Sequence, residues 1–194
     1  MLPIRVLKMK ETARIVTLFG LLFALSLTCY SKPKDVLGWR GARWGMSDKD
    51  IVKVFGSRAE KLRQLELYGS GHLGYIIPGI KLKGQTFTAL FQMAGGRTAG
   101  AVDTLSEVHV RLDQTESRVP RDDVFNSLGS LLTQQYGAPD SRKDERPSET
   151  PIRFLHLSRT WRFPTTTVQL LCAWDRYSSK ITIRYFPTDG KAEW

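Results

Sequence analysis

The residues that could carry catalytic chemistry are few and widely spaced in this chain of 194 residues. The three histidines, His72, His109 and His156, stand in no H-x-x-x-H or H-E-x-x-H spacing, and the two cysteines, Cys29 and Cys172, form no C-x-x-C pair. Zinc sites commonly take His and Cys ligands in such spacings. The sequence therefore predicts no metal site, no cofactor and no catalytic residue.

His72 is the one histidine in a glycine-rich setting, since Gly69, Gly71 and Gly74 surround it. A phosphate-binding loop needs a Lys-Ser or Lys-Thr ending and a helix after it, and this segment has neither. A turn between two strands is the favoured interpretation. The G-x-S-x-G motif of serine hydrolases is also absent from the sequence. We therefore predict that the protein is not an enzyme, with a dispersed site around His72 or His109 as the alternative.

Positive charge is the remaining indication of binding chemistry, because Lys and Arg outnumber Asp and Glu by 29 to 19. His109 and Arg111 alternate with apolar residues in one predicted strand, and Lys180 and Arg184 do so in another. If both strands belong to one sheet, these four side chains form a basic stripe for an anion or a protein partner. The alternative is an ordinary solvated sheet face.

The first 31 residues have the pattern of an export signal. Basic residues between Arg5 and Arg14 precede the apolar run Ile15–Leu27 of 13 residues. As a helix this run is about 20 Å long, too short for the roughly 30 Å hydrocarbon core of a bilayer. We therefore predict a signal peptide over residues 1–31 and an exported protein, periplasmic or secreted.

The site of cleavage decides whether the mature protein is free or lipid-anchored. Cleavage after Ser31 removes four basic and one acidic residue, leaving a net charge of +7. Lipidation of Cys29 is one alternative, although Leu27 and Thr28 depart from the usual lipoprotein signal, and an uncleaved anchor is another. Only these alternatives imply a membrane. The expected partner is an envelope protein or an anionic envelope component, and no nucleic acid is expected.

Two short helices are indicated by their end signals. Ser47 and Asp50 form a capping-box pattern before one helix, which Gly56 terminates. A second helix is expected from Pro120 to Tyr136, where Gly137 follows.

Elsewhere the apolar period is two, which is typical of strands. The predicted strands cover residues 65–68, 73–77, 86–93, 107–112, 153–157, 160–163, 167–174 and 180–186, and residues 141–150 are predicted as a polar loop. In the seventh strand, Cys172 is predicted to be a small buried residue. We expect one α+β domain over residues 32–194, an antiparallel sheet with two short helices on one face. Helix and strands follow each other twice, which indicates pseudo-repeats over residues 38–112 and 120–187.

A resemblance to a known type of protein rests on short motifs at the two helices. They are Trp44-Gly45-Met46-Ser47 with Ile51, Val54 and Phe55-Gly56, then Leu132 to Tyr136-Gly137-Ala138-Pro139, with Trp161 on a later strand. The chain resembles small exported bacterial proteins of the BamE (SmpA/OmlA) and β-lactamase-inhibitor-like type. The resemblance implies an envelope protein that presents a sheet or loop surface to another protein. Inhibition of a secreted hydrolase is a further alternative.

Overall fold

The structure is a computed structural model of the chain. The chain divides between Ser31 and Lys32 into two units, and the second unit contains all the helices and strands named below. The described residues are 32–68, 71–95, 102–113, 121–145, 155–174 and 179–189. The predicted signal peptide, its cleavage site and Cys29 lie outside the described residues.

The first predicted helix is confirmed as α1, Asp48–Phe55. The Asp50 carboxylate accepts hydrogen bonds from the amide of Ser47 at 3.0 Å and from its hydroxyl at 2.7 Å. This contact satisfies an amide that the helix itself leaves unpaired. A 3-10 turn, Gly56–Arg58, ends the helix as the glycine predicts.

The second predicted helix is confirmed as α2, Arg121–Tyr136. Leu128 and Leu132, one turn apart, are both buried. The chain leaves the helix at Gly137, whose φ of +81° is a conformation that glycine adopts without steric cost.

Eight strands form one antiparallel sheet. They are β1 (Glu60–Tyr68), β2 (Gly71–Leu82), β3 (Gln85–Ala94), β4 (Thr104–Leu112), β5 (Ser141–Glu145), β6 (Leu155–Arg162), β7 (Thr166–Trp174) and β8 (Ser179–Pro187). Their order across the sheet is β1-β2-β3-β4-β8-β7-β6-β5, and every neighbouring pair is antiparallel. With two helices beside this sheet, the protein has an α+β fold.

The sequence prediction was wrong at the start of the second group of strands. Residues 141–145, predicted as loop, form β5, and the strands predicted over 153–157 and 160–163 are a single strand, β6. All five residues of β5 are exposed and none is apolar, so hydrophobic period cannot reveal the strand. Charged residues on an edge strand also discourage pairing with another chain.

The two groups of four strands meet where β4 pairs with β8, a junction that we call the seam. Val108 lies opposite Tyr185 and Val110 opposite Ile183, and all four are buried. We call the side of the sheet that carries these residues the apolar face. The other side, which carries the alternating residues of the same strands, is the polar face. Cys172 of β7, opposite Ile181, is fully buried, as predicted.

Residues 32–44, which we call the strap, lead into α1 and are tied to the turn between β6 and β7. The Asp35 carboxylate accepts from the Thr165 amide and hydroxyl, both at 3.1 Å. The buried Thr166 hydroxyl oxygen accepts from the Gly38 amide at 3.0 Å and the Trp44 indole at 2.9 Å. The strap therefore belongs to the folded domain.

Within the strap, Trp39 and Ala42 exchange two backbone hydrogen bonds of 2.9 Å around a two-residue turn. The central residues, Arg40 and Gly41, have φ of +47° and +95°. Positive φ at both positions is the geometry of a type I′ turn, in which Asn and Gly are the favoured residues. An arginine in the first position is therefore unusual.

Candidate functional site

The polar face of the seam holds a compact cluster of polar and charged side chains. Glu107 and His109 extend from β4, Arg184 from β8 and Gln92 from β3, since Gln92 lies opposite Glu107 and His109 opposite Arg184. Glu107, His109 and Arg184 are only 9%, 2% and 7% exposed. We call these four residues the seam cluster.

A bidentate ion pair forms the centre of the seam cluster. Arg184 donates from Nε to Glu107 Oε1 at 2.5 Å and from Nη2 to Oε2 at 3.0 Å. His109 Nε2 lies 3.3 Å from Glu107 Oε1 and 3.3 Å from Gln92 Oε1. Two parallel N–H donors on one carboxylate give both strength and a fixed orientation.

The pKa of Glu107 is set by opposing effects. Burial in the sheet raises it, but hydrogen bonds and positive charge from His109 and Arg184 outweigh the burial and hold the pKa below the usual 4.5. Glu107 is therefore ionised at neutral pH, and its charge compensates the buried guanidinium.

The structure brings the four residues predicted as a basic stripe onto neighbouring strands. His109 lies opposite Arg184, and Arg111 lies opposite Thr182. Lys180, two residues before Thr182 on the same face, is the diagonal neighbour of Arg111, at a spacing of roughly 7–8 Å. The shared sheet that the stripe required is thus present.

His109 and Arg184 do not lie on a solvated sheet face, because both are buried. Glu107, which sequence reasoning left out of the stripe, accounts for the difference: it pairs with Arg184 and contacts His109. Its position two residues before His109 places it on the same face, and that alternation was the available signal. The remaining basic side chains beside the cluster are the half-buried Arg111 and the exposed Lys180.

His72, the other predicted candidate, lies on β2 and is not part of the seam cluster. It is opposite Met93 of β3, whereas His109 is opposite Leu90 of the same strand. The Nε2 atom of His72 is 3.5 Å from Asp103 Oδ2, while Asp103 Oδ1 is buried without a hydrogen-bond partner among the described residues. A histidine oriented by a carboxylate is one component of acid–base catalysis.

Nearby, Lys61 Nζ donates to Asp48 Oδ2 at 2.7 Å and lies 5.7 Å from the centre of the Tyr75 ring. The hydrogen bond to Asp48 raises the pKa of Lys61, and burial raises the pKa of Tyr75. Both shifts keep the side chain protonated, the opposite of what an activated nucleophile needs. This group therefore adds no nucleophile to the His72–Asp103 contact.

In the part of the chain that the structure describes, no group of three or more His, Cys, Asp or Glu side chains is placed to hold a metal ion. Across those same residues, no helix has both the length and the apolar character needed to span a membrane.

A pocket of 540 Å³ lies among the strap, α2 and the central strands, away from the polar face. We call it the strap pocket. Its wall is formed by Pro33, Asp35, Val36, Leu37, Gly38, Trp39, Arg40, Gly41, Ile80, Leu82, Val110, Leu131, Leu132, Gln135, Tyr136, Ile183 and Tyr185. No sequence motif predicts the strap pocket, because its residues come from segments that only the fold brings together.

Comparisons of the chain with protein-family models, with curated proteins and with solved structures gave no match. The resemblance to BamE-type and β-lactamase-inhibitor-like proteins therefore stays a prediction.

Proposed function

We propose that this protein is a noncatalytic component of the bacterial cell envelope that binds a partner through the polar face of its sheet. The observation that carries the proposal is the seam cluster, a buried and hydrogen-bonded set of polar and charged groups, flanked on the same sheet face by the half-buried Arg111 and the exposed Lys180. The partner is a protein or an anionic envelope component, and the surroundings of the cluster favour a protein.

The packing of the helices supports their placement on the apolar face. The ring of Phe55 in α1 lies 5.3 Å from that of Phe91, and the ring of Phe125 in α2 lies 5.2 Å from the Arg159 guanidinium. By the strand register, Phe91 and Arg159 both lie on the apolar face, the side of the sheet that carries Val108. These contacts support the proposed arrangement of two helices on one face of the sheet.

The order of elements supports a duplication. A helix and four strands occur twice along the chain, over residues 38–112 and 120–187, and the last strands of the two groups pair at the seam. In this interpretation the seam is the junction of two related halves, and the seam cluster is built from both.

The composition around the cluster supports a protein as the partner. Phe186, which is partly exposed, lies with its ring 5.3 Å from the Arg184 guanidinium, and Leu171 lies on the same face opposite Thr182. Interfaces are enriched in aromatic residues and arginine, with polar groups at the rim. Arg111 and Lys180 provide that rim and favour an acidic partner surface.

The test is charge reversal at the rim, in the double variant Arg111→Glu and Lys180→Glu. The matched control reverses two exposed lysines of α1, Lys49→Glu and Lys53→Glu, with the same change in net charge. We expect the rim variant to lose most of the partner protein recovered by crosslinking in an envelope extract, while the control retains it. Equal recovery by both variants would contradict the proposal.

A second arm of this test distinguishes a lipid surface from a protein. Vesicles of phosphatidylglycerol and phosphatidylethanolamine replace the extract in a cosedimentation assay. Near an anionic surface each basic residue contributes about 1 kcal/mol, so an anionic lipid partner predicts vesicle binding of the rim variant that is weaker by at least roughly thirtyfold. Vesicle binding that both variants lose equally reflects net charge alone.

Export is tested by the intact mass of the mature protein and its fractionation between soluble periplasm and membrane. A mass that begins at Lys32 in the soluble fraction supports a diffusible envelope protein. A mass that begins at lipid-modified Cys29 supports an anchored lipoprotein instead, and an uncut chain contradicts the predicted signal peptide.

The His72–Asp103 contact of 3.5 Å supports a second candidate, an enzyme with a site at this edge of the sheet. A panel of envelope substrates tests it, with His72→Ala as the diagnostic variant. Turnover that this variant abolishes favours the enzyme, whereas turnover unaffected by it removes His72 from consideration.

A further inference from the structure

The strap pocket is large enough to enclose a small molecule. Its 540 Å³ falls inside the range of roughly 300–1,000 Å³ that is usual for ligand sites. The strap closes one side of it and is fixed by the Asp35–Thr165 and Gly38–Thr166 hydrogen bonds. The pocket is therefore preformed and does not depend on the polar face.

Most of the pocket wall is aliphatic. Leu131 and Leu132 contribute from α2, and Ile80, Val110 and Ile183 contribute from the sheet. Such a wall favours an apolar ligand body, whose transfer from water releases free energy in proportion to the area buried.

One part of the wall is polar and positively charged. Arg40 lies there with its guanidinium 5.3 Å from the Trp39 ring, together with the hydroxyls of Tyr136 and Tyr185. A phenol carries one O–H donor, so each tyrosine adds a hydrogen-bonding group to this part of the wall. Asp35 also lines the pocket, but its carboxylate is engaged by Thr165.

Electrostatics keep this part of the wall a donor of hydrogen bonds. Burial raises the pKa of Tyr136 and raises that of Tyr185 still further, while the charge of Arg40 opposes both shifts without reversing them. The tyrosines thus stay neutral, and Arg40 supplies the positive charge.

The backbone at Arg40 gives a second reason to assign it a role. Its φ of +47° lies in a region that arginine seldom occupies and that Asn or Gly adopts readily. An unfavourable residue at a strained position is a recognised mark of a functional site.

We propose that the strap pocket binds a small amphipathic anion, with an apolar body against the aliphatic wall and one acidic group at Arg40 and Tyr136. The acidic group is a carboxylate, sulfonate or phosphate ester, since each accepts hydrogen bonds from a guanidinium and a phenol.

The experiment uses two fluorescent probes that share one aromatic body and differ in charge, 1-anilinonaphthalene-8-sulfonate and the neutral N-phenyl-1-naphthylamine. The folded wild-type protein is titrated with each. We expect one site per chain and about tenfold tighter binding of the sulfonate, the effect of one charge-assisted hydrogen bond.

Arg40→Asn removes the guanidinium and keeps a residue suited to the turn. We expect it to abolish the preference for the sulfonate while leaving the affinity for the neutral probe unchanged. Arg43→Asn is the matched control, an exposed arginine of the strap outside the pocket, and it should retain the preference. A sulfonate affinity unchanged by Arg40→Asn would overturn the assignment of the anion.

Leu131→Trp fills the pocket and should reduce the binding of both probes at least tenfold, while Asn126→Trp, at an exposed position of α2, should not. Leu82→Trp blocks the opposite wall if the first variant has lost its native near-UV circular dichroism. Undiminished binding in the folded blocked variants, or no binding by the wild type, would overturn the proposal.

Discussion

The two faces of the seam differ in how the same pair of strands is stabilised. On the apolar face, Val108, Val110, Ile183 and Tyr185 pack into the hydrophobic core. On the polar face, Glu107, His109 and Arg184 of the same strands are also buried but are polar or charged, with the Glu107–Arg184 pair at the centre. Burial alone therefore does not tell which face of a sheet belongs to the core.

The difference between the faces concerns specificity as much as stability. Apolar packing excludes a shift of one residue, which would turn the core side chains to the other face, but it discriminates less against a shift of two residues, because neighbouring aliphatic side chains can substitute for one another. The bidentate contact between Glu107 and Arg184 does not tolerate such shifts, because its two N–H donors must meet two oxygens. We infer that the polar face fixes the alignment of β4 with β8 and the apolar face provides most of the hydrophobic free energy.

The largest effect is expected from Glu107→Ala, which leaves the Arg184 guanidinium buried without its carboxylate. Breaking a buried pair in this way destabilises a protein by about 3–5 kcal/mol. Urea unfolding followed by circular dichroism measures the loss. The control is the double variant Glu107→Met and Arg184→Met, which removes both charges and should recover most of the stability. A loss below about 1 kcal/mol in the single variant would show that the pair is not desolvated.

Low pH should reduce the stability of the wild-type protein in the same way as Glu107→Ala. The folded pKa of Glu107 lies below its ordinary value, so the ionised pair contributes stability that is present above pH 4.5 and is lost as the pH falls through the folded pKa. The unfolding free energy of the wild type should therefore decline more steeply below pH 4.5 than that of the Met–Met variant. Parallel declines would mean that other carboxyl groups, such as Asp35 or Asp140, account for the acid sensitivity.

A smaller effect is expected from Ile183→Val on the apolar face. Ile183 is 2% exposed and lies opposite Val110, so the change deletes one buried methylene-sized group. The expected loss is about 0.5–1.5 kcal/mol, measured by the same urea unfolding. A loss larger than that of Glu107→Ala would reverse the comparison and make the apolar face the more sensitive side of the seam.

The sequence was sufficient for the helices and for most inner strands, although it divided β6 into two, and it was insufficient at the edges of the sheet. Ser47, Asp50 and Gly56 act through neighbours a few residues away, so their pattern predicts α1 directly. The edge strand β5 consists of exposed polar and charged residues, and β1 begins well before its predicted start for a similar reason. Edge strands lack the alternation that burial on one face imposes.

Contacts between distant segments account for the rest of what the sequence did not predict. Glu107 and Arg184 are 77 residues apart, and Asp35 and Thr165 are 130 apart. Alternation places Glu107 on the face of His109, but only the pairing of β4 with β8 shows which charge it meets. The strap pocket has the same origin, since α2, the strap and three strands each supply part of its wall.

The smallest effect on stability is expected from Lys180→Gln, at the exposed rim of the polar face. Its side chain is outside the buried pair, and exposed substitutions of this kind change the unfolding free energy by less than about 0.5 kcal/mol. Partner recovery should nevertheless decrease, because the lysine contributes charge to the proposed interface. A loss of binding without a loss of stability would mean that the polar face has a buried centre, which stabilises the pairing of β4 with β8, and an exposed rim, which binds the partner. A variant that loses stability but keeps its partner would place Lys180 in the centre instead.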